Sequence, residues 1–368
     1  MNFSCNQTIL SDSINIVQKA VSLKTTKPIL KGILLKAYNN QLKLVGNNLS
    51  IGIENTIEAN VKKEGSIVIS SKLFGEIIRK LPNETINFSV NENNVIDITC
   101  LNTKFSIQGQ SALEFPEIEE IDNTEEYEIN SLIFKNMIRQ TIFAISLDDS
   151  RPILTGSLIE IKNDNLSMVS IDGYRLSLKN ISIDSDFVNK AVIPGKTLSE
   201  VNKILSQLNE NNEKIKISIT DKHIMFNIEK IKIISRLLDG EFIKYDQIIP
   251  NEFNSIVKIN TSELLRSIER ASLLAIESKS NTIKMIFKNS NLNISTNVEI
   301  GSVDENVDIE LKGKEIEIGF NPKYLMDALK IIDSEEVIMK LTTSVSPCII
   351  KPVDDESYTY LILPVRLS

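Results

Sequence analysis

One pattern occurs three times in this 368-residue chain, and it restricts the possible folds more than any other feature. The segments ISSKLFGEIIRKL from Ile69, IPGKTLSEVNKIL from Ile193 and FNPKYLMDALKII from Phe320 align without a gap, at offsets of 124 and 127 residues. In that register Lys72, Lys196 and Lys323 coincide, as do Glu76, Glu200 and Asp327, and Arg79, Lys203 and Lys330. The same offsets carry ILKGILL from Ile29 onto ILTGSLI from Ile153, and then onto the stretch that holds TIKMIF. A helical and an extended segment agreeing at one period mark a repeated structural unit.

Each copy reads as a short strand, a helix and three strands, with that series occurring twice. The first helices are TILSDSINIVQKAVSL, SLIFKNMIRQTIFAI and SELLRSIERASLL, with apolar residues at helical spacing. In copy one, GILLKAY, QLKLVG and IGIENTI alternate apolar and polar residues, with turn residues such as NN between them. The expected class is α+β: three similar domains of mostly antiparallel sheet with helices on one face. Linkers fall in PEIEEIDNTEEYE and IIPNEFNS. The expected domains are therefore 1–125, 126–251 and 252–368. In the tripled helix, Leu73, Phe74, Ile77, Ile78 and Leu81 are expected to form the buried stripe, with Lys72, Glu76 and Arg79 on the other side.

Composition narrows the chemistry. Hydrophobic residues make up 42% and charged residues 24%, an ordinary globular balance. Cys5, Cys100 and Cys348 are odd in number and far apart, which fits a reduced, cytoplasmic compartment better than a disulfide framework. The start, MNFSCNQTILSDS, does not read as a signal peptide, and no apolar run is long enough to span a membrane. The lone histidine, His223 in TDKHIMF, reads as a strand-end residue, so no His-based triad is available. There is no zinc-ligand spacing, no GxxxxGK[ST] and no GxGxxG. The pairs Asp148–Asp149 and Asp354–Asp355 read as solvated loops. These absences argue against a catalytic residue, a metal and a cofactor without excluding an enzyme.

The net charge of −8 should repel nucleic acid on average. Yet the helices lean basic: Lys135, Arg139, Arg266 and Arg270 join the tripled positions, against Glu263 and Glu269. The plain alternative is internal pairing, since Glu76 lies four residues after Lys72 and three before Arg79. If the basic faces share one surface, they would suit a phosphate backbone without reading bases. The chain ends in YTYLILPVRLS. An edge strand explains the alternation of Leu361, Leu363 and Val365, but not the apolar Ile362 between them.

The three copies, with PILKGILL, SIDGYRL and LPVRL, resemble the bacterial beta sliding clamp family over the full length. That resemblance implies a ring-shaped head-to-tail homodimer, with sheets outside and helices inside. The ring would encircle duplex DNA without sequence preference. It implies no catalysis and no ATP site. The replicative DNA polymerase, a clamp loader and repair proteins would dock through short clamp-binding peptides. The peptide pocket would comprise Leu154, Thr155, Ile171, Gly173, Tyr174, Arg175, Leu176, Ile243, Gln247, Ile248, Pro347, Leu361, Leu363, Pro364, Val365 and Arg366. DNA contacts would come from Lys24, Lys72, Arg79, Arg139, Lys196, Lys203, Arg266, Lys323 and Lys330. The ring seam would involve Phe105, Leu273 and Leu274. Ile243 replaces a frequent proline, Gln247 a frequent arginine and Pro347 a frequent serine, while Pro152 and Ile153 stand where some relatives carry DNA-touching aromatics. A peptide-binding scaffold that does not encircle DNA would share the pocket, and a carboxylate enzyme would instead cluster acids in a cleft.

Overall fold

The computed structural model describes residues 1–22, 24–119, 126–183, 188–207, 214–276 and 281–367. Residues 120–125, where the first domain boundary was expected, lie outside the described residues. Six α-helices are described: α1 (Gln7–Val17), α2 (Ser71–Lys80), α3 (Ser131–Thr141), α4 (Gly195–Leu205), α5 (Thr261–Ala275) and α6 (Pro322–Leu329). A short strand leads directly into each helix and three strands follow it, with one additional strand at Asn60–Lys63. None of the described helices is long and apolar enough to cross a membrane.

Local chemistry sets these elements. An asparagine caps the first helix of every copy: the side chains of Asn6, Asn130 and Asn260 each accept from the amides two and three residues on. Each cap satisfies two donors that the first helical turn leaves open. The first hairpin turns at Asn39–Asn40 and the corresponding one at Asn163–Asp164, all four residues holding positive φ. That geometry suits Asn and Asp and matches the twist of two-residue hairpins.

The chain forms two compact units, Met1–Ile133 with Glu200–Leu237, and Phe134–Ser199 with Leu238–Ser368. The first holds a five-stranded sheet and an eight-stranded sheet; the second holds a sheet of twelve strands. Every strand pairing is antiparallel, as the alternating patterns implied. In the second unit, Leu264 and Ile268 of α5 and Leu325 and Leu329 of α6 share one core with Phe287, Met339 and Tyr360 of the sheet.

In α2 a sequence expectation fails. Leu73 is exposed, while Ser71 and Gly75 are buried beside Phe74, Ile77 and Ile78. The buried arc of α2 is rotated because Gln18, just beyond α1, lies over it. The Gln18 amide donates to Ser71 O at 2.7 Å and sits where a Cβ on Gly75 would fall. The three cysteines are buried, and burial pushes the Cys5 thiol up to about 12, leaving it inert near neutral pH.

Candidate partner-binding site

Neighbouring repeats are joined by strand pairing. In the first unit, Ile51–Glu58 pairs with Ile231–Arg236; in the second, Arg175–Ser182 pairs with Tyr358–Ile362. The second joint holds most of the residues proposed from sequence for a peptide pocket.

The carboxyl-terminal strand is not an edge. Tyr358–Ile362 lies between Arg175–Ser182 and Cys348–Pro352, and all five residues are buried. Tyr358, Tyr360 and Ile362 enter the core beneath α5 and α6. Leu361 faces the other way, into a cluster with Ile171, Leu176, Tyr245 and Ile349, on which Ile248 and Leu363 also pack. An interior strand buried on both faces needs apolar residues at consecutive positions, which accounts for Ile362.

Beside this cluster the chain turns at Asp172–Arg175. Asp172 Oδ1 accepts from the amides of Tyr174 at 2.8 Å and Arg175 at 3.0 Å. Gly173 holds φ +96°, and among the described residues nothing beyond its chain neighbours lies within 4 Å of the place a Cβ would take. The Leu363 amide donates to Tyr174 O at 2.9 Å, pinning the tail beside the turn. A cavity of about 540 Å³ opens here, lined by Leu154, Gly173, Tyr174, Arg175, Lys323 and Tyr324 among others. Its size and its adjoining apolar cluster suit a short peptide.

Arg175 is buried in the cavity floor. Its Nε donates to Asp172 Oδ2 at 3.0 Å, Nη1 to Asp327 Oδ2 at 2.6 Å and Nη2 to Phe143 O at 2.7 Å. Its guanidinium carbon lies 4.5 Å from the centre of the Tyr324 ring and 5.4 Å from that of Phe143. With its donors so engaged, Arg175 positions the pocket from below. Tyr324 stacks on Tyr174 with ring centres 6.1 Å apart, and Tyr174 remains 62% exposed. Farther along the joint, Lys179 Nζ meets Asp355 at 2.5 Å. Burial alone would raise the Asp355 carboxyl, but Lys179 and the Ser357 hydroxyl hold it below its ordinary value.

The remaining candidates do not line this cavity. Ile243 and Gln247 are exposed, while Thr155, Pro347 and Pro364 are half-buried. The Thr155 hydroxyl donates to Pro152 O at 2.7 Å. The Val365 amide donates to Gly319 O at 2.8 Å. Arg366 lines a different cavity, with Lys284 and Ser295. Sequence reasoning did not name Tyr324, and Lys323, expected at DNA through the repeat register, also lines this cavity. The available signal was an aromatic at Tyr324, where the other copies have Leu73 and Thr197.

The candidate DNA-binding side chains divide by pairing. Lys24, Lys72, Arg79, Lys196, Arg266 and Lys323 are exposed, and among the described residues none has a carboxylate within salt-bridge distance. Lys203 pairs with Glu200 at 2.9 Å, Lys330 with Glu269 at 3.1 Å, and half-buried Arg139 with Asp333. The Lys72–Glu76–Arg79 pairing that local spacing allows does not form. At the expected seam, Phe105 is half-buried on the edge strand Thr103–Gln108, Leu273 is 70% exposed, and Leu274 lies beside Gly301. Among the described residues, no group of three or more His, Cys, Asp or Glu could hold a metal ion.

Comparison with known proteins agrees across the chain. Family models for the DNA polymerase III beta subunit match in three parts: the N-terminal domain over residues 1–119, the central domain over 128–244 and the C-terminal domain over 246–366. The chain is 36% identical over 377 residues to the beta sliding clamp of Staphylococcus epidermidis, covering 100% of this chain and 99% of that protein. It is 35% identical over 379 residues to that of Bacillus subtilis, covering 100% of both. Among solved structures, the DNA polymerase sliding clamp from Bacillus subtilis superposes with a TM-score of 0.96, and the beta subunit from DNA polymerase of Streptococcus pyogenes with 0.95 at 30% identity, each over 100% of both chains. With its repeats, its joints and its full-length likeness to these proteins, the chain belongs to the DNA polymerase III beta subunit family, the beta sliding clamps.

Proposed function

We propose that two copies of this chain join head to tail and close around duplex DNA in the cytoplasm, where they tether the replicative DNA polymerase, a clamp loader and repair proteins without catalysing a reaction or holding a cofactor. The observation that carries this reading is an incomplete set of joints. Strand Ile51–Glu58 is matched by Ile231–Arg236, and Arg175–Ser182 by Tyr358–Ile362. The third set is Thr103–Gln108 and residues 301–308. Among the described residues, Thr103–Gln108 is a sheet edge, and residues 301–308 pair only with Asn291–Val298 on one side. These two open edges lie in different copies of the repeat. A second chain supplies the missing partner to each, and a head-to-tail contact of that kind closes into a ring when the rotation allows.

The seam residues test this directly. Phe105→Glu would bury an uncompensated carboxylate on the edge strand, a cost of about 3–5 kcal/mol. Dimer dissociation, measured by sedimentation velocity, is expected to strengthen by roughly a hundredfold or more. A variant that stays dimeric at submicromolar concentration would remove this edge from the seam.

The cations suit a loose hold. Six exposed side chains, without a carboxylate in salt-bridge distance among the described residues, can meet phosphates, while the carboxylates elsewhere keep the net charge at −8. Each phosphate contact contributes about 0.9 to the slope of log affinity against log salt. Lys72→Glu with Arg79→Glu is expected to reduce that slope by about 2 on duplex DNA, with an unchanged melt. An unchanged slope would take α2 off the DNA surface. Pocket binding of polymerase and repair proteins rests on the open cavity at Gly173 and is tested by the Leu363 variant below.

A further inference from the structure

The first joint repeats the frame of the second at its turn. Asn48 Oδ1 accepts from the amides of Ser50 and Ile51, both at 3.0 Å, as Asp172 does from Tyr174 and Arg175. Leu49 holds φ +73° where Gly173 holds +96°. The Arg236 amide donates to Ser50 O at 2.9 Å, as the Leu363 amide does to Tyr174 O. The groove framework is therefore built twice in one chain.

What differs is occupancy. At the first joint, Ile118 lies flat on Gly52: a Cβ built there would fall 2.6 Å from Ile118 Cδ1. The second joint has Leu176 at the position equivalent to Gly52. Ile118 also packs on the cluster of Leu30, Leu34, Val45, Val68 and Phe115. The space left is about 80 Å³, against about 540 Å³ at the second joint. Yet the segment is lightly tied. Among the described residues, the main chain of 116–119 makes one hydrogen bond, from Asn47 Nδ2 to Pro116 O at 3.4 Å. Glu119 reaches His223 Nδ1 at 3.4 Å, and its side chain is otherwise largely exposed.

We propose that the first joint is a second peptide groove, kept shut by the chain's own residues 115–119, which sit in it as a tethered ligand. Its ligand class is an acidic peptide with one aliphatic anchor, the pattern that Glu117, Ile118 and Glu119 already present. Asn47 and Arg236 stand where the second joint has Ile171 and Leu363, so the wall offers an amide and a cation in place of two apolar side chains. Arg236 has no carboxylate within salt-bridge distance among the described residues, which leaves it available to an acidic ligand. The two grooves thus differ in preference, and one of them stands open. The comparison with the second joint rests on the peptide-binding reading proposed above.

The test uses the full chain and a fluorescein-labelled peptide of sequence LEFPEIE, residues 113–119, titrated by anisotropy. Ile118→Ala is expected to bind it at least tenfold more tightly than the unaltered chain, and adding Gly52→Leu is expected to abolish that gain by filling the groove. Equal binding, or a gain that survives Gly52→Leu in a cooperatively melting protein, overturns the proposal. On the unaltered chain, excess peptide is expected to speed amide exchange at residues 117–119, and unchanged exchange also overturns it. A separate titration with an apolar peptide reads the second joint alone. If that peptide fails to bind while the Ile118→Ala gain holds, the second-joint reading is lost and the first-joint groove stands.

Discussion

Arg175→Ala is expected to destabilise the second unit by about 3–5 kcal/mol, because it leaves two carboxylates without their cation. Asp172 and Asp327 both direct an oxygen at the guanidinium, at 3.0 and 2.6 Å, and the Phe143 carbonyl takes a third donor at 2.7 Å. Arg175 is 7% exposed, Asp172 12% and Asp327 31%, so water replaces these bonds only in part. The ring of Tyr324 would also lose the cation beneath it. Arg175→Lys is expected to recover only part of the loss, since an ammonium cannot reproduce a planar fork with three separate partners. Arg175→Met with Asp172→Asn and Asp327→Leu should be much closer to the parent, because it removes the charges together and leaves an amide at the turn. Thermal and denaturant unfolding measure all three. An Arg175→Ala chain within about 0.5 kcal/mol of the parent would mean that the buried network contributes nothing to the joint.

The repeats were legible because local rules act within each copy. Asn6, Asn130 and Asn260 cap equivalent helices through bonds to residues two and three positions on. Asn39–Asn40 and Asn163–Asp164 shape hairpins from their own backbone preferences. The apolar tail was legible as well, since Ile362 breaks the alternation of a half-buried strand, although its interior position between two partners was not. The failures are all long-range. Leu73 was placed inside because periodicity fixes the width of an apolar arc, while packing against Gln18 fixes its centre. Arg139 finds Asp333 across 194 residues, and Arg270 finds Glu305 across 35. No rule of helix spacing sees such partners, so the free and the paired cations could not be separated beforehand. The burial of Arg175, expected only as a pocket residue, was illegible for the same reason: it comes from Phe143, Tyr324 and Asp327, all distant in sequence.

Leu363→Asp is expected to weaken binding of a short apolar peptide by a hundredfold or more while leaving the melt nearly unchanged. Leu363 is half-buried, follows the last strand, and packs on the cluster of Ile171, Leu176 and Leu361. A carboxylate there would stay in water in the free protein and would lose that water beneath an apolar ligand, a cost of several kcal/mol. The backbone bond from the Leu363 amide to Tyr174 O is kept, so the turn at Gly173 should hold its shape. Leu361→Asp is the contrasting variant. Leu361 is 2% exposed on an interior strand, so the same change there should unfold the joint rather than act on binding alone. Anisotropy titration paired with thermal melts separates the two effects. Binding lost without stability at position 363, and stability lost at 361, would place the peptide on the open side of Leu363. If Leu363→Asp binds as the parent does, the ligand does not use this wall, and the cavity between Tyr174 and Tyr324 must hold it without the tail.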